Sequence, residues 1–91
     1  MSSVNVKLFA TLRNYGPKNL EIGESFSVKI SKTTSIEDLL GKLGIPREHA
    51  KIIMINGNIV KNLNKKLISD DDISIFPPVG GGVFIKGNDR F

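Results

Sequence analysis

A chain of 91 residues, 40% of them apolar and 24% charged, carries enough apolar material for one core, lies near the small end of single-domain sizes and is far from the composition of a disordered chain. It has no cysteine, which excludes a disulfide framework, a thiolate metal site and a cysteine nucleophile together. Its formal charge of +4 comes from scattered Lys and Arg, with only Lys65 and Lys66 adjacent, and reads as a solvated surface rather than a nucleic-acid stripe interleaved with aromatics. Apolar runs such as Ile52–Ile55 fall far short of the roughly 20 residues a membrane span requires. The segment Met1–Lys7 lacks a charged stretch followed by an apolar one, so no secretory signal is visible and a cytoplasmic location is the expectation.

Val4, Val6 and Leu8 alternate with Asn5, Lys7 and Phe9, the period of a strand with one face on a core. After turn signals at Gly16-Pro17 and Gly23, Phe26, Val28 and Ile30 alternate with polar residues and predict a second strand paired with the first. Ser35 followed by Asp38 forms a capping box, and Ile36, Leu39, Leu40 and Leu43 recur at helical spacing. Gly44 and Pro46 then end the helix, giving a span of about Ile36 to Leu43. Ile52–Ile55, Asn56-Gly57 and Asn58–Val60 predict a short hairpin closed by a type I′ turn. Ser69-Asp70-Asp71 reads as a turn, and Asp72–Phe76 as a last strand stopped by Pro77-Pro78, which have no N–H to donate. A hairpin, a helix, a short hairpin and a final strand that must return by a crossover favour a last strand parallel to the first. The expectation is an α+β, ubiquitin-like β-grasp fold, a mixed sheet of about five strands on one main helix. The domain is expected over residues 1–78, with a flexible glycine-rich tail over 79–82 and a C-terminal extension over 83–91.

The segment with chemical content is Phe76-Pro77-Pro78-Val79-Gly80-Gly81-Gly82. Two prolines stiffen the chain after its last strand, and glycines without Cβ atoms make a backbone thin enough to enter a narrow channel. A glycine carboxylate at the end of such an arm is sterically open to activation as an acyl adenylate.

Together with Phe9-Ala10-Thr11-Leu12-Arg13, Asn56-Gly57-Asn58-Ile59-Val60 and Leu67-Ile68-Ser69-Asp70-Asp71-Asp72, that ending resembles the MoaD/ThiS family of ubiquitin-like sulfur carriers, above all the small subunit of molybdopterin synthase. The resemblance covers Val4 to Gly82. It implies that Gly82, with Gly81 beside it, accepts adenylate and then becomes a thiocarboxylate. It also implies two partners, an E1-like adenylating enzyme that uses ATP and a large molybdopterin synthase subunit. The chain itself is expected to bind no cofactor, to hold no metal and to act as a protein co-substrate without a catalytic site of its own. The pathway implied is molybdopterin or tungstopterin cofactor synthesis. A thiamine-type sulfur carrier, and a protein modifier or binding module without sulfur chemistry, are the alternatives.

By the same resemblance, docking falls on Phe9, Ile59 and Phe76, with Pro77, Pro78, Val79 and Gly80 leading into the partner. Strand parity agrees independently for the two aromatics, because Phe9 and Phe76 sit out of phase with the inward sets Val4, Val6, Leu8 and Ile73, Ile75.

The departure from the family pattern is that the chain continues past Gly82 with Val83-Phe84-Ile85-Lys86-Gly87-Asn88-Asp89-Arg90-Phe91. While Gly82 is in a peptide bond it has no carboxylate to activate. A processing protease removes these residues, or the chemistry has been lost and the fold serves binding, or Val83-Phe84-Ile85 adds a strand to a sheet edge and masks the glycines.

Other motifs carry less. Gly82 to Gly87 has phosphate-loop spacing, but Asn88-Asp89 stand where Lys and Ser or Thr are needed. Asp70-Asp71-Asp72 cannot all point at one ion and reads as a turn with solvated charges. His49, the single histidine, has no cysteine or second histidine to complete a metal set and reads as an exposed side chain.

Overall fold

The computed structural model describes residues 2–78. Five strands are present: β1 (Ser2–Leu8), β2 (Phe26–Ile30), β3 (Ile52–Ile55), β4 (Asn58–Val60) and β5 (Asp72–Phe76). They form one sheet in the order β2-β1-β5-β3-β4. β5 runs parallel to β1, with Val6 opposite Ile73 and Leu8 opposite Ile75, and antiparallel to β3. The last strand therefore lies at the centre of the sheet beside the first, the β-grasp arrangement that the crossover rule required.

One helix, α1 (Ile36–Leu43), covers one face, and its bounds are those set by the capping signals. The Ser35 backbone N–H donates to Asp38 Oδ2 at 3.0 Å and the Asp38 N–H donates to Ser35 Oγ at 3.2 Å, so both arms of the capping box are made. The N–H of Ser35, and then its hydroxyl, hold the exposed Asp38 carboxyl below the usual carboxylate range, with Lys66 helping by its charge. At the far end Gly44 takes a left-handed φ of 78° and the Ile45 N–H reaches the Leu40 carbonyl, closing the helix where glycine is cheapest.

Ile36, Leu39 and Leu40 of α1 bury against Val4, Val6, Leu8, Ile53, Ile55, Ile73 and Ile75 on the inner sheet face. Each fully buried aliphatic side chain contributes about 1.5–3 kcal/mol relative to exposure, so this layer dominates the stability of the domain. The β3–β4 turn places Asn56 at φ 52° and Gly57 at φ 87°, the two positive angles of a type I′ turn. Among the described residues no helix is long and apolar enough to cross a membrane.

Two features depart from the sequence reading. A 3-10 helix spans Ala10–Tyr15 and inserts Leu12 into the core, a stretch for which no element was expected. Its exit at Gly16 passes so close to β2 that a Cβ there would sit 3.1 Å from the Phe26 ring and 3.3 Å from Leu8. The second departure is Asp71, expected to be solvated with its neighbours and instead only 4% exposed. Its carboxylate accepts from Asn56 Nδ2 at 3.0 Å and from the Ile68 N–H at 2.9 Å, so burial is compensated by two hydrogen bonds. The Asn56 side chain in turn accepts from the Asp72 N–H at 2.9 Å. Asp71 thus ties the loop before β5 to the β3–β4 turn.

Candidate functional site

The sheet face turned away from α1 carries the residues of interest. Because side chains alternate along a strand, burying Ile73 and Ile75 forces Ser74 and Phe76 of β5 onto this outer face. β1 ends at Leu8, and Phe9 follows as the residue that opens the 3-10 helix, its N–H still donating to the Ile75 carbonyl at 3.2 Å. That bond keeps Phe9 alongside Phe76. The two rings stack with centroids 4.2 Å apart and planes 14° from parallel. Both are half-buried, so the expected pair of outward aromatics is present, each ring covering part of the other.

Ile59 projects from β4 with 62% of its surface exposed. It stands opposite Met54 of β3, which stands opposite Ser74 of β5, while Ile52 stands opposite Phe76. An apolar band therefore runs from Ile59 through Met54 and Ile52 to Phe76 and Phe9, crossing three adjacent strands and reaching the end of β1. Ile52 and Met54 were absent from the residues proposed from sequence. The unbroken run Ile52-Ile53-Met54-Ile55 conceals its own phase, but counting back from the Asn56-Gly57 turn assigns Ile52 and Met54 to the same face.

At the end of β5 the Phe76 carbonyl accepts from the Lys51 N–H at 2.9 Å. Half-buried Pro77 and exposed Pro78 follow, and neither has an N–H to extend the ladder. The chain thus leaves the sheet at its centre, directly beside the aromatic pair. Val79, Gly80, Gly81 and Gly82, together with residues 83–91, lie outside the described residues. His49 is exposed at the end of a 3-10 turn over Arg47–His49. Among the described residues no group of three or more His, Asp or Glu is placed to hold a metal ion.

The arrangement sets an exposed apolar band beside the point at which the described chain leaves the sheet. Residues 6–82 match the sequence profile of the ThiS family, a match that ends on the third of the consecutive glycines, Gly82. Among solved structures, a Pyrococcus furiosus protein assigned as subunit 1 of molybdopterin converting factor superposes with a TM-score of 0.64 at 22% identity, over 87% of this chain and 100% of its own. Small archaeal modifier protein 1 of Haloferax volcanii gives a TM-score of 0.63 at 22% identity, over 87% and 100%. The complex of subunits 1 and 2 of molybdopterin-converting factor from Helicobacter pylori contains a chain with a TM-score of 0.55 at 26% identity, over 88% of this chain and 99% of that one. No curated protein matches the sequence significantly. The profile match over most of the length, on a five-stranded sheet with a single main helix, places this chain in the ThiS family of ubiquitin-like β-grasp proteins.

Proposed function

We propose that this chain is a sulfur carrier for molybdopterin or tungstopterin cofactor synthesis. The observation that carries the reading is the family match running to Gly82, on a body whose central strand releases its chain beside an apolar docking band. In this reading proteolysis after Gly82 frees its carboxylate. An E1-like adenylating enzyme joins that carboxylate to the α-phosphate of ATP and releases pyrophosphate. Sulfide then attacks the acyl carbon, AMP leaves with the bonding pair, and the S–H proton passes to solvent. The product is a thiocarboxylate whose sulfur is presented to a precursor inside a large synthase subunit. Phe9, Ile59 and Phe76, joined by Ile52 and Met54, dock that subunit. The Helicobacter pylori complex of subunits 1 and 2 supports a partner of this kind.

The test uses the chain ending at Gly82, a cognate adenylating enzyme, ATP and a sulfide source. A carrier gains the mass difference between sulfur and oxygen at its C-terminus, and the gain disappears without ATP. Material extending to Phe91 should show no gain until it is cleaved. A second reading follows from the Haloferax volcanii modifier protein. The same activated Gly82 acylates lysine amines of other proteins, and isopeptide-linked Gly82 in digests of native material would support it. A thiamine-type carrier is distinguished by which synthase accepts the thiocarboxylate.

A further inference from the structure

The edge of the sheet at β4 shares Ile59 with the outer apolar band, but its open main chain, Ile68 and a group of lysines are features the band does not use. Among the described residues, β4 is bonded to β3 on one side and ends the strand order on the other. A two-residue hairpin loop closes on a pair that exchanges both main-chain hydrogen bonds, here Ile55 with Asn58, and bonded pairs then alternate along the ladder. Val60 is therefore bonded to β3, whereas the N–H and C=O of Ile59 point along the open edge. Among the described residues no main-chain hydrogen bond reaches Ile59 from that side.

Facing this edge across a cleft of about 540 Å³ lies the loop that leads to β5. Ile59 and Ile68 line the cleft, 62% and 67% exposed, and are among the most exposed large apolar side chains described. Lys61, Lys65 and Lys66 line it as well, and none has an ion-pair partner among the described residues. The far wall is held in place. The Leu63 and Lys65 carbonyls accept from the Glu37 and Ile36 N–H groups of α1, the Leu67 N–H donates to Thr34, and Asp71 fixes the Ile68 N–H. A cleft held this way keeps its shape before a ligand arrives, which lowers the ordering cost of binding.

We propose that this edge is a second docking site, one that takes an extended acidic peptide segment of a partner protein. The segment adds a strand to β4 through the main chain of Ile59, seats a branched aliphatic side chain between Ile59 and Ile68, and sets its carboxylates against Lys61, Lys65 and Lys66. Charge decides between occupants. The extension of this chain carries Lys86 and Arg90 beside a single acidic side chain, Asp89, so it offers the lysine rim far less complementary charge than an acidic segment does. Nucleic acid would want aromatic platforms, and among the described residues that line the cleft none is aromatic, Phe9 and Phe76 being stacked on each other across the sheet.

The site is independent of sulfur chemistry, so its test needs neither ATP nor a free Gly82. The isotope-labelled full chain is titrated with a blocked peptide, Asp-Glu-Val-Ile-Asp-Glu, and followed by amide chemical shifts. Saturable shifts are expected at Asn58–Lys61 and Lys65–Ile68. Affinity should fall at least about tenfold in the variant K61E/K65E/K66E, and similarly between about 50 and 300 mM salt. The peptide Lys-Lys-Val-Ile-Lys-Lys should bind that charge-reversed variant and not the parent. Ile68→Ser, which leaves the charges in place, should weaken binding while the remaining spectrum stays that of the folded domain. The proposal is overturned by shifts confined to Phe9 and Phe76, by binding indifferent to charge reversal, by no saturable binding, or by tighter binding of a thymidine oligonucleotide than of the acidic peptide. Shifts at β4 that grow with protein concentration alone would assign the edge to a second copy of this chain and overturn it equally.

Discussion

The two faces of β5 differ in what they ask of a side chain. Inward, Ile73 and Ile75 are almost fully covered by α1 and must fill a fixed volume. Outward, Ser74 and Phe76 are only half-buried, and Phe76 meets solvent on the side that the stacked Phe9 ring leaves open. One strand of five residues thus combines a demand for packing with a surface free to be chosen for a partner. The aromatic stack with Phe9 lies on that second surface, where the proposed docking would use it.

That difference can be tested at adjacent positions. Ile75→Ala should lower the unfolding free energy by about 2–5 kcal/mol in urea denaturation, because the cavity lies where sheet and helix cannot collapse together. Phe76→Ala should cost clearly less, and equal costs would break the distinction between the faces. Asp71→Ala comes next, at about 1–3 kcal/mol, since the Asn56 amide and the Ile68 N–H lose a buried acceptor. It should also loosen the β4–β5 loop, read as faster amide exchange at Ile68. Ser35→Ala should cost about 1 kcal/mol by removing the helix cap. Asp38 adds a pH signature to the same cap. A carboxyl held lower in the folded chain than its ordinary value of 3.8 contributes stability above that value and loses it as pH falls through the folded value. The stability gap between the parent and Asp38→Asn should therefore be open at neutral pH and narrow on acidification below 3.8. The smallest effect belongs to Ile59→Ser, within about 0.5 kcal/mol because the side chain already meets water. The same substitution should weaken capture by a large synthase subunit in a pull-down, which would separate recognition from folding.

The elements legible in the sequence were those set by local chemistry. The capping box and Gly44 fixed both ends of α1 within the chain's own near neighbours, and Asn56-Gly57 could make only one kind of turn. Elements decided at a distance were not legible. Residues 10–15 are too few to show a helical period, and Leu12 is buried only through the packing of its 3-10 helix against β1 and β5. Asp70, Asp71 and Asp72 look alike in sequence. The middle one turns inward because Asn56, fifteen positions earlier, is brought beside it by the hairpin. On the candidate site, the outward phase of Phe9 and Phe76 was available from alternation, and Ile59 from the family resemblance. Ile52 and Met54 became visible only once the turn fixed the register of β3.

The parallel pairing of β1 with β5 has a mechanical consequence. A pull on the chain beyond Pro78, opposed at the N-terminal strand, runs along both strands and loads their hydrogen bonds in shear, all at once rather than one after another. Under the proposed function, a partner that holds the chain beyond Pro78 loads this seam in shear, so the domain can be gripped there without being unzipped.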